Sequence, residues 1–283
     1  MTRRVLLAFA GVLLLGAVWE LYKDLGPATG VKVGELAILP RTTDLAMPHL
    51  WTILDRLGQP VSSLPGSLPL VVAVLQACLV TLGIAGAGWG LGVVFGFLLA
   101  LLMQAVSLAE RAVLPFVILS QTVPVIALAP LVVGWGAQLP AWQEWMSVSL
   151  IAAYLAFCPI AVGVLRGLKS AEATQLELLH SYAAGWWSTL TRLRLPASVA
   201  YLLPALRLGA SSAVVGAVVG EVSTGTEGGI GRAIVEYAQA SGGDPAKPWA
   251  AILGAVAIGL VAVGVVALLG IALRRFRRWE VAA

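Results

Sequence analysis

Long apolar runs separated by shorter polar segments set the pattern of this chain. A run of about 18 or more apolar residues predicts a transmembrane helix, because roughly 20 helical residues cross the ~30 Å hydrocarbon core of a bilayer. That core holds no water, so each run must form a helix or line a cavity that protein covers. The pattern predicts six spans, at residues 5–22, 70–103, 112–136, 146–165, 198–221 and 249–273.

The run at 70–103 is longer than one crossing needs. As a helix, its 34 residues would extend about 51 Å at 1.5 Å per residue. The run therefore predicts either one long tilted helix that protrudes from the membrane or two short spans that turn at the glycine-rich stretch 83–92. Gly92 and Gly96 form a small-xxx-small step, which indicates a helix packed among other helices.

The positive charges decide between these alternatives. Arg3 and Arg4 precede the first span, and four arginines follow the last: Arg274, Arg275, Arg277 and Arg278. Cytoplasmic segments are enriched in Lys and Arg, so we expect both termini in the cytoplasm and an even number of spans. With six spans, the predicted cytoplasmic side of the chain, span ends included, holds 12 Lys or Arg and 4 Glu, whereas the outer side holds 6 Lys or Arg and 10 Asp or Glu.

Composition supports a membrane protein. Hydrophobic residues make up 59% of the chain and charged residues 11%, against roughly 25% charged residues in soluble domains. The net charge of +4 follows from the topology, and the sequence predicts no nucleic-acid partner. The N-terminal segment also fits a cleaved signal peptide, but residues 20–26 lack a small-x-small cleavage pattern, so we expect a retained first helix. The predicted fold class is an all-α integral membrane protein with six transmembrane helices.

We expect a single transmembrane domain over residues 1–283. Residues 1–69 hold the first helix and an outer segment, and residues 70–273 hold the core helices with a cytoplasmic loop at about 166–197. In the outer segment, residues 47–61 have the spacing of a short amphipathic helix, either lying at the membrane interface or packed within the loop. Cys78 and Cys158 fall in predicted spans as buried apolar residues, so we expect neither a disulfide nor a metal site.

The third span contains Pro115, Pro124 and Pro130, and a polar triplet, Ser120, Gln121 and Thr122, stands before Pro124. Each proline removes a backbone donor and disfavours a straight helix. Backbone groups freed in this way are tolerated in a membrane where protein or a water-filled cavity covers them. The triplet and Pro124 therefore predict a translocation-pathway lining; hydrogen bonding between helices is the alternative.

Glu221 is an acidic residue near the outer end of the fifth span. An ionisable residue within a membrane span is a candidate functional residue, so we include Glu221 in the predicted translocation pathway. The alternative is that it anchors the following loop, by capping or by pairing with Arg232. An intramembrane enzyme is disfavoured because both histidines, His49 and His180, fall in loops and no aspartate lies in a span.

The polar loop between the fourth and fifth spans has helical periodicity. Apolar residues recur at steps of three and four, which predicts an amphipathic helix or a pair of short ones: Leu176, Leu179, Tyr182, Ala183, Trp186 and Leu190. Its polar face is acidic and neutral, whereas a helix that binds lipid headgroups is rich in Lys and Arg. The loop is therefore expected to bind a soluble partner.

This loop resembles the EAA loop in permease subunits of bacterial ABC importers. The EAA pattern is Glu-Ala-Ala, three residues, Gly, nine residues, Ile, one residue, Leu-Pro. Aligned on Leu195-Pro196, it places Glu177 at the glutamate, Leu178 and Leu179 at the two alanines, Ala183 at the glycine and Leu193 at the isoleucine. The copy is degenerate, and the resemblance implies that these residues couple the chain to a separate ATPase subunit.

Two further segments, 120–136 and 203–234, are similar to the sulfonate, taurine, nitrate and thiamine-precursor subgroup of these permeases. The second includes Glu221 and the turn Gly229-Ile230-Gly231. The resemblance covers about residues 70–273 and implies the type I ABC importer permease fold. It also implies several partners: an ABC ATPase dimer, a second permease subunit (identical or paralogous), an extracytoplasmic binding protein and membrane lipid.

The resemblance predicts a transport subunit of the cytoplasmic (inner) membrane and no enzyme. ATP and Mg²⁺ are expected on the ATPase, with no cofactor in this chain, and the sequence contains no Gly-x-x-x-x-Gly-Lys-Ser/Thr phosphate loop. We expect alternating access driven by ATP. The expected substrate is a thiamine-pyrimidine precursor or a related small heterocycle; a sulfonate, taurine or nitrate importer and an ion-coupled carrier are alternatives.

Overall fold

The computed structural model describes residues 2–33 and 36–272, and most of them are helical. A short antiparallel hairpin is formed by β1 (Val31–Val33) and β2 (Leu36–Leu39). The helices are α1 (Thr2–Leu25), α2 (Leu50–Leu57), α3 (Leu70–Ala105), α4 (Ser107–Ser120), α5 (Val125–Gly136), α6 (Glu144–Leu168), α7 (Ala173–Ser181), α8 (Trp186–Thr189), α9 (Leu195–Thr224), α10 (Ile230–Gln239) and α11 (Ala246–Ala272). A π-helical turn, Leu190–Arg194, joins α8 to α9.

The chain forms two compact units. Unit 1 contains residues 1–77 and 233–254, and unit 2 contains residues 78–232 and 255–283. The expected single domain over 1–283 stays a prediction.

Among the described residues, four helices are long and apolar enough to cross a membrane: Leu70–Ala105, Glu144–Leu168, Trp186–Thr224 and Ala246–Ile271. A bent pair, Ser107–Ser120 with Val125–Gly136, makes up to five if it counts as one span. The first predicted span coincides with α1, which this count does not include. The all-α membrane class is confirmed, whereas the count of six and the cytoplasmic termini stay predictions.

The long run at 70–103 forms a single helix, α3, with 36 residues. The alternative of two short spans is therefore wrong. The glycine-rich stretch continues as helix because its small side chains allow close packing: Gly88 and Gly92 of α3 approach Ala152 and Ala156 of α6 so closely that a Cβ on either glycine would overlap its neighbour. Close approach of this kind is how helices associate where no hydrophobic force acts between them.

Helix α6 is the central helix of unit 2. In an apolar stretch of 18 residues within α6, 61% is buried, a larger share than in any other candidate span among the described residues. Small residues on both sides explain this burial, because Gly163 and Gly167 of α6 meet Ala205 and Ser198 of α9. These contacts fix α3, α6 and α9 against one another, and they position both the loop after α6 and the C-terminal end of α9.

In unit 1, the residues of α2 lie in three different environments. Ile53 is buried, Trp51 and Leu54 are more than half exposed, and Arg56 forms an ion pair with Asp244 (Nε to Oδ2, 2.6 Å). Burial of Ile53 shows that the helix packs within the unit, as one sequence interpretation expected. Its placement at a membrane interface stays a prediction. Cys78 and Cys158 are buried, as predicted, and both are free cysteines.

Candidate functional site

The loop after α6 folds as two short helices, α7 and α8, and we call residues 173–189 the elbow. Helix α7 carries Glu177 and Leu178 and has no buried residue, and the short helix α8 follows after a break at 182–185. A pair of short helices is thus present, as one sequence alternative expected. The exposed fractions of Leu178, Tyr182 and Trp187 are 57%, 76% and 71%, so the elbow presents an apolar surface outward. Apolar groups exposed together on a protein surface mark an interaction site.

Ala183 forms the bend of the elbow in a left-handed conformation. Its φ is +52°, the only positive value at a non-glycine residue in the described part of the chain. The EAA pattern has glycine at this position, and glycine adopts this conformation without steric cost. The structure therefore keeps a turn that favours glycine although the sequence has alanine there. This geometry leaves the coupling role itself a prediction.

The end of the elbow connects to α9 through the π-helical turn. Leu195 donates its backbone N–H to the carbonyl of Leu190, five residues earlier. Pro196, next in the chain, has no backbone N–H, and in a regular α-helix its ring would collide with the carbonyl four residues before it. The wider π turn relieves this collision, so the chain continues as helix from Trp186 to Thr224. The Leu-Pro pair thus joins the elbow to α9 without a break.

An ion pair lies at the end of unit 2 that carries the elbow. Lys169, at the C-terminal end of α6, binds Glu110 in the first turn of α4. Both residues come from segments predicted to be cytoplasmic. The structure therefore brings together two ends that the sequence topology assigned to one side of the membrane.

The polar triplet lies at the break between α4 and α5, which meet at 100°. The Ser120 and Thr122 hydroxyls donate to the carbonyls of Val117 and Leu119, and the Ser120 carbonyl accepts a hydrogen bond from the Tyr154 hydroxyl. The Leu119 and Ser120 carbonyls also accept the backbone N–H groups of Thr122 and Val123, so the side chains add second partners to carbonyls in the last turn of α4.

At this break the sequence predicted a distorted span. Gln121, Thr122 and Pro124 are exposed. Both hydroxyls of the triplet donate to nearby backbone carbonyls, and the exposed Gln121 side chain donates from Nε2 to Ser120 Oγ at 3.4 Å. A pathway role for this segment stays a prediction.

Glu221 is fully buried near the C-terminal end of α9. The Thr81 hydroxyl of α3 lies 2.7 and 2.9 Å from its two carboxyl oxygens, and the backbone N–H of Gly231 donates to Oε2 at 2.8 Å. Thr81 in turn accepts the N–H of Ile230 at 2.8 Å. We call these groups the Glu221 network. The carboxyl caps the first turn of α10, so the anchoring interpretation describes the geometry that is present.

Thr81 was not identified from the sequence. It lies 140 residues before Glu221, and a single threonine in an apolar run carries no local signal of its partner. The only related signal in the sequence was the pair of glycines at 229 and 231. In the structure, a Cβ at either position would overlap the Glu221 side chain.

The long apolar helices define an integral membrane protein. The family of binding-protein-dependent transport system inner membrane components matches residues 92–278, and the chain belongs to this family. It is therefore an inner membrane permease of the ABC importer type, and a transport subunit that is not an enzyme.

Three relatives are named as permeases. The formylaminopyrimidine transport permease protein ThiX of Halalkalibacterium halodurans is 35% identical over 68% of this chain and 78% of its own. The riboflavin transport system permease protein RibX of Chloroflexus aurantiacus is 33% identical over 42% of each chain. SsuC of Bacillus subtilis, a permease assigned to aliphatic sulfonates, is 25% identical over 82% of this chain and 75% of its own. The names of ThiX and SsuC agree with the subgroup that the sequence resembled.

Proposed function

We propose that this chain is the membrane subunit of an ATP-driven importer that works by alternating access. A second permease subunit completes the translocation path, a dimer of ATPase subunits binds ATP with Mg²⁺ below it, and an extracytoplasmic binding protein delivers the solute. Closure of the ATPases on ATP shifts the path from inward-open to outward-open, so the ATPases supply the energy. Family membership carries this proposal, and it favours the ABC mechanism over an ion-coupled carrier.

The elbow is the proposed ATPase contact. Its exposed groups Leu178, Tyr182 and Trp187 form a mostly apolar surface at the end of unit 2 that holds the Lys169–Glu110 pair. Aromatic residues supply much of the energy at protein interfaces. The π turn and Pro196 join this surface to α9 as continuous helix, so a force on the elbow is transmitted along a rigid element to the outer end of unit 2.

The proposed solute is a thiamine-pyrimidine precursor or a related small heterocycle. The likeness to ThiX, which covers 78% of that protein at 35% identity, supports this assignment. RibX, named for a larger heterocycle, points to the same chemical class. A sulfonate, taurine or nitrate importer is the second candidate, because SsuC aligns over more of this chain at lower identity.

Purification from the native host, with mass spectrometry of the proteins that accompany the tagged chain, tests the assembly. We expect an ABC ATPase and a binding protein. Proteoliposomes that contain all components should then accumulate formylaminopyrimidine only with ATP and Mg²⁺ supplied to the ATPase, whereas taurine and nitrate should not accumulate. A chain that is recovered alone and transports without ATP would contradict the importer.

Charge reversal at Glu177 tests the coupling role of the elbow. We expect Glu177→Lys to abolish uptake while the chain still inserts in the membrane, because the lysine meets the ATPase where a carboxylate is required. Glu172→Lys, a second exposed glutamate of the same loop, is the matched control and should retain most of the uptake. Normal uptake in Glu177→Lys, or equal loss in both variants, would exclude this role.

A further inference from the structure

The Glu221 network ties three parts of unit 2 together: α3 through Thr81, α9 through Glu221, and the first turn of α10 through the N–H groups of Ile230 and Gly231. The side chains of Thr81, Glu221 and Ile230 are fully buried. Buried polar groups that lose a partner are costly, because no water can replace the lost hydrogen bond. The first turn of α10 is therefore held against α3 and α9 by bonds that cannot be exchanged for solvent.

The turn between α9 and α10 is shaped around this carboxyl. Gly225 and Gly228 have φ values of +74° and +84°, and Gly229 lies so close that a Cβ would overlap the Glu221 carboxyl. A side chain at Gly231 would meet the Val218 carbonyl and the Glu221 side chain. Glycine is thus required both for the backbone conformation and for the space that the carboxyl occupies.

The turn also lines an open cavity of about 560 Å³. Thr224, Gly225, Thr226 and Glu227 form one wall, and the other walls come from the beginning of α6 and from Val80 and Ile84 of α3, on either side of Thr81. The Glu221 network therefore holds residues that are close in sequence to the cavity lining: Thr81 lies between Val80 and Ile84, and Ile230 and Gly231 follow soon after residues 224–227. A shift of the turn would change the cavity directly.

We propose that Glu221 and Thr81 are positioning residues that hold the α9–α10 turn as the outer wall of this cavity, and that transport requires the turn to be held there. The transport part of this inference rests on the proposed importer function. The network joins α3 to α9, so separation of these helices would free the turn. Its hydrogen bonds thus couple the turn to the packing of the helices that cross the membrane.

Thiol labelling of the turn tests its position without any assumption about the solute. Thr226, 6% exposed, is replaced by cysteine in the full chain, with Cys78→Ala to remove the cysteine nearest the network. Native Cys158, buried in α6 beside Val117 and Ala161, remains as an internal control for general loosening. Membrane vesicles are treated with a small maleimide, and the modification rate at each thiol is measured by mass spectrometry.

Thr81→Val removes the hydroxyl at nearly constant shape, and Thr81→Ser is its matched control. We expect Thr81→Val to raise the labelling rate of the Thr226→Cys thiol by on the order of tenfold, because Ile230 N–H and the Glu221 carboxyl each lose a buried partner. Thr81→Ser should leave the rate near that of the parent, and Cys158 should stay protected in all variants. ATP-driven uptake should fall about tenfold in Thr81→Val, because the same buried hydrogen bonds are lost. It should recover in Thr81→Ser, which keeps the hydroxyl.

An unchanged labelling rate in Thr81→Val would overturn the positioning role. Increased labelling of Cys158 together with the turn would also overturn it, because the network would then stabilise the whole unit and not the turn. Faster labelling of the turn with undiminished uptake would refute the requirement for transport. Absence of ATP-driven uptake in the parent protein would refute the importer proposal alone, and the labelling difference would still establish how the turn is held.

Discussion

At the scale of single residues, Ala183 shows how a degenerate motif keeps its geometry. The left-handed conformation costs an L-residue roughly 1–2 kcal/mol, and alanine adopts it here at φ +52°. The sequence identified the position by its register with Leu195-Pro196, but it could not show whether the turn survives the loss of glycine. The structure shows that it does.

Ala183→Gly is therefore expected to be neutral or stabilising by up to about 1 kcal/mol, since relief of the left-handed strain outweighs the extra backbone entropy of glycine in the unfolded chain. The neighbouring Ala184→Gly is the matched control, because φ is not positive there. It should destabilise by about 0.5–1 kcal/mol. Thermal unfolding of the purified chain measures both, and an equal loss in the two variants would contradict the strain at Ala183.

Glu221 marks the limit of sequence reasoning at this scale. Depth in the fifth span identified it as a candidate, and the alternatives of pathway lining and loop anchor remained open. Only the fold brings Thr81 to within 2.7 Å of its carboxyl and the Gly231 N–H to within 2.8 Å. The partners are a hydroxyl and a backbone group, and neither has a sequence pattern that identifies it.

At the scale of elements, helix lengths were predictable and helix directions were not. Hydrophobic runs gave α3, α6, α9 and α11 within a few residues. The prolines of the third span indicated a distortion, and Pro124 is the N-cap residue immediately before α5. The 100° angle between α4 and α5 depends on tertiary contacts such as the hydrogen bond from Tyr154 to Ser120, which no local pattern contains.

The packing of α3 on α6 gives a prediction at this scale. Gly88→Ala should destabilise the purified chain by about 1–3 kcal/mol, as overpacking does in a tight core, because the new Cβ would lie 2.5 Å from both the Ala152 Cβ and the Ser149 carbonyl. Gly86→Ala on the open face of α3, with no atom within 4 Å of the new Cβ, is the control. It should be neutral or slightly stabilising, because alanine is the better helix former. Similar thermal midpoints for the two variants would show that the α3–α6 contact is looser than the structure has it.

At the scale of the whole molecule, the family match and the division into units emphasise different parts of the chain. The family covers 92–278, whereas residues 1–77 fall in unit 1 with 233–254. The resemblance therefore explained the helices that carry the elbow and the Glu221 network. It gave no account of residues 23–69, which hold the local β1–β2 pair and Arg56, whose ion-pair partner Asp244 lies 188 residues later in the sequence.

Orientation in the membrane gives the last prediction, and it follows from charge. The predicted cytoplasmic side holds 12 of the 18 Lys and Arg, so the elbow should lie inside and the turn after α9 outside. Helix α9 has 30 residues and extends about 45 Å, enough to place Ser181 and Glu227 on opposite sides. In a chain with Cys78→Ala and Cys158→Ala, an impermeant maleimide added to cells whose inner membrane is intact and accessible should modify Glu227→Cys and Ser63→Cys but not Ser181→Cys. Disruption of the membrane should expose Ser181→Cys as well. Labelling of Ser181→Cys alone in intact cells would reverse the topology, and it would place the elbow where no ATPase could reach it.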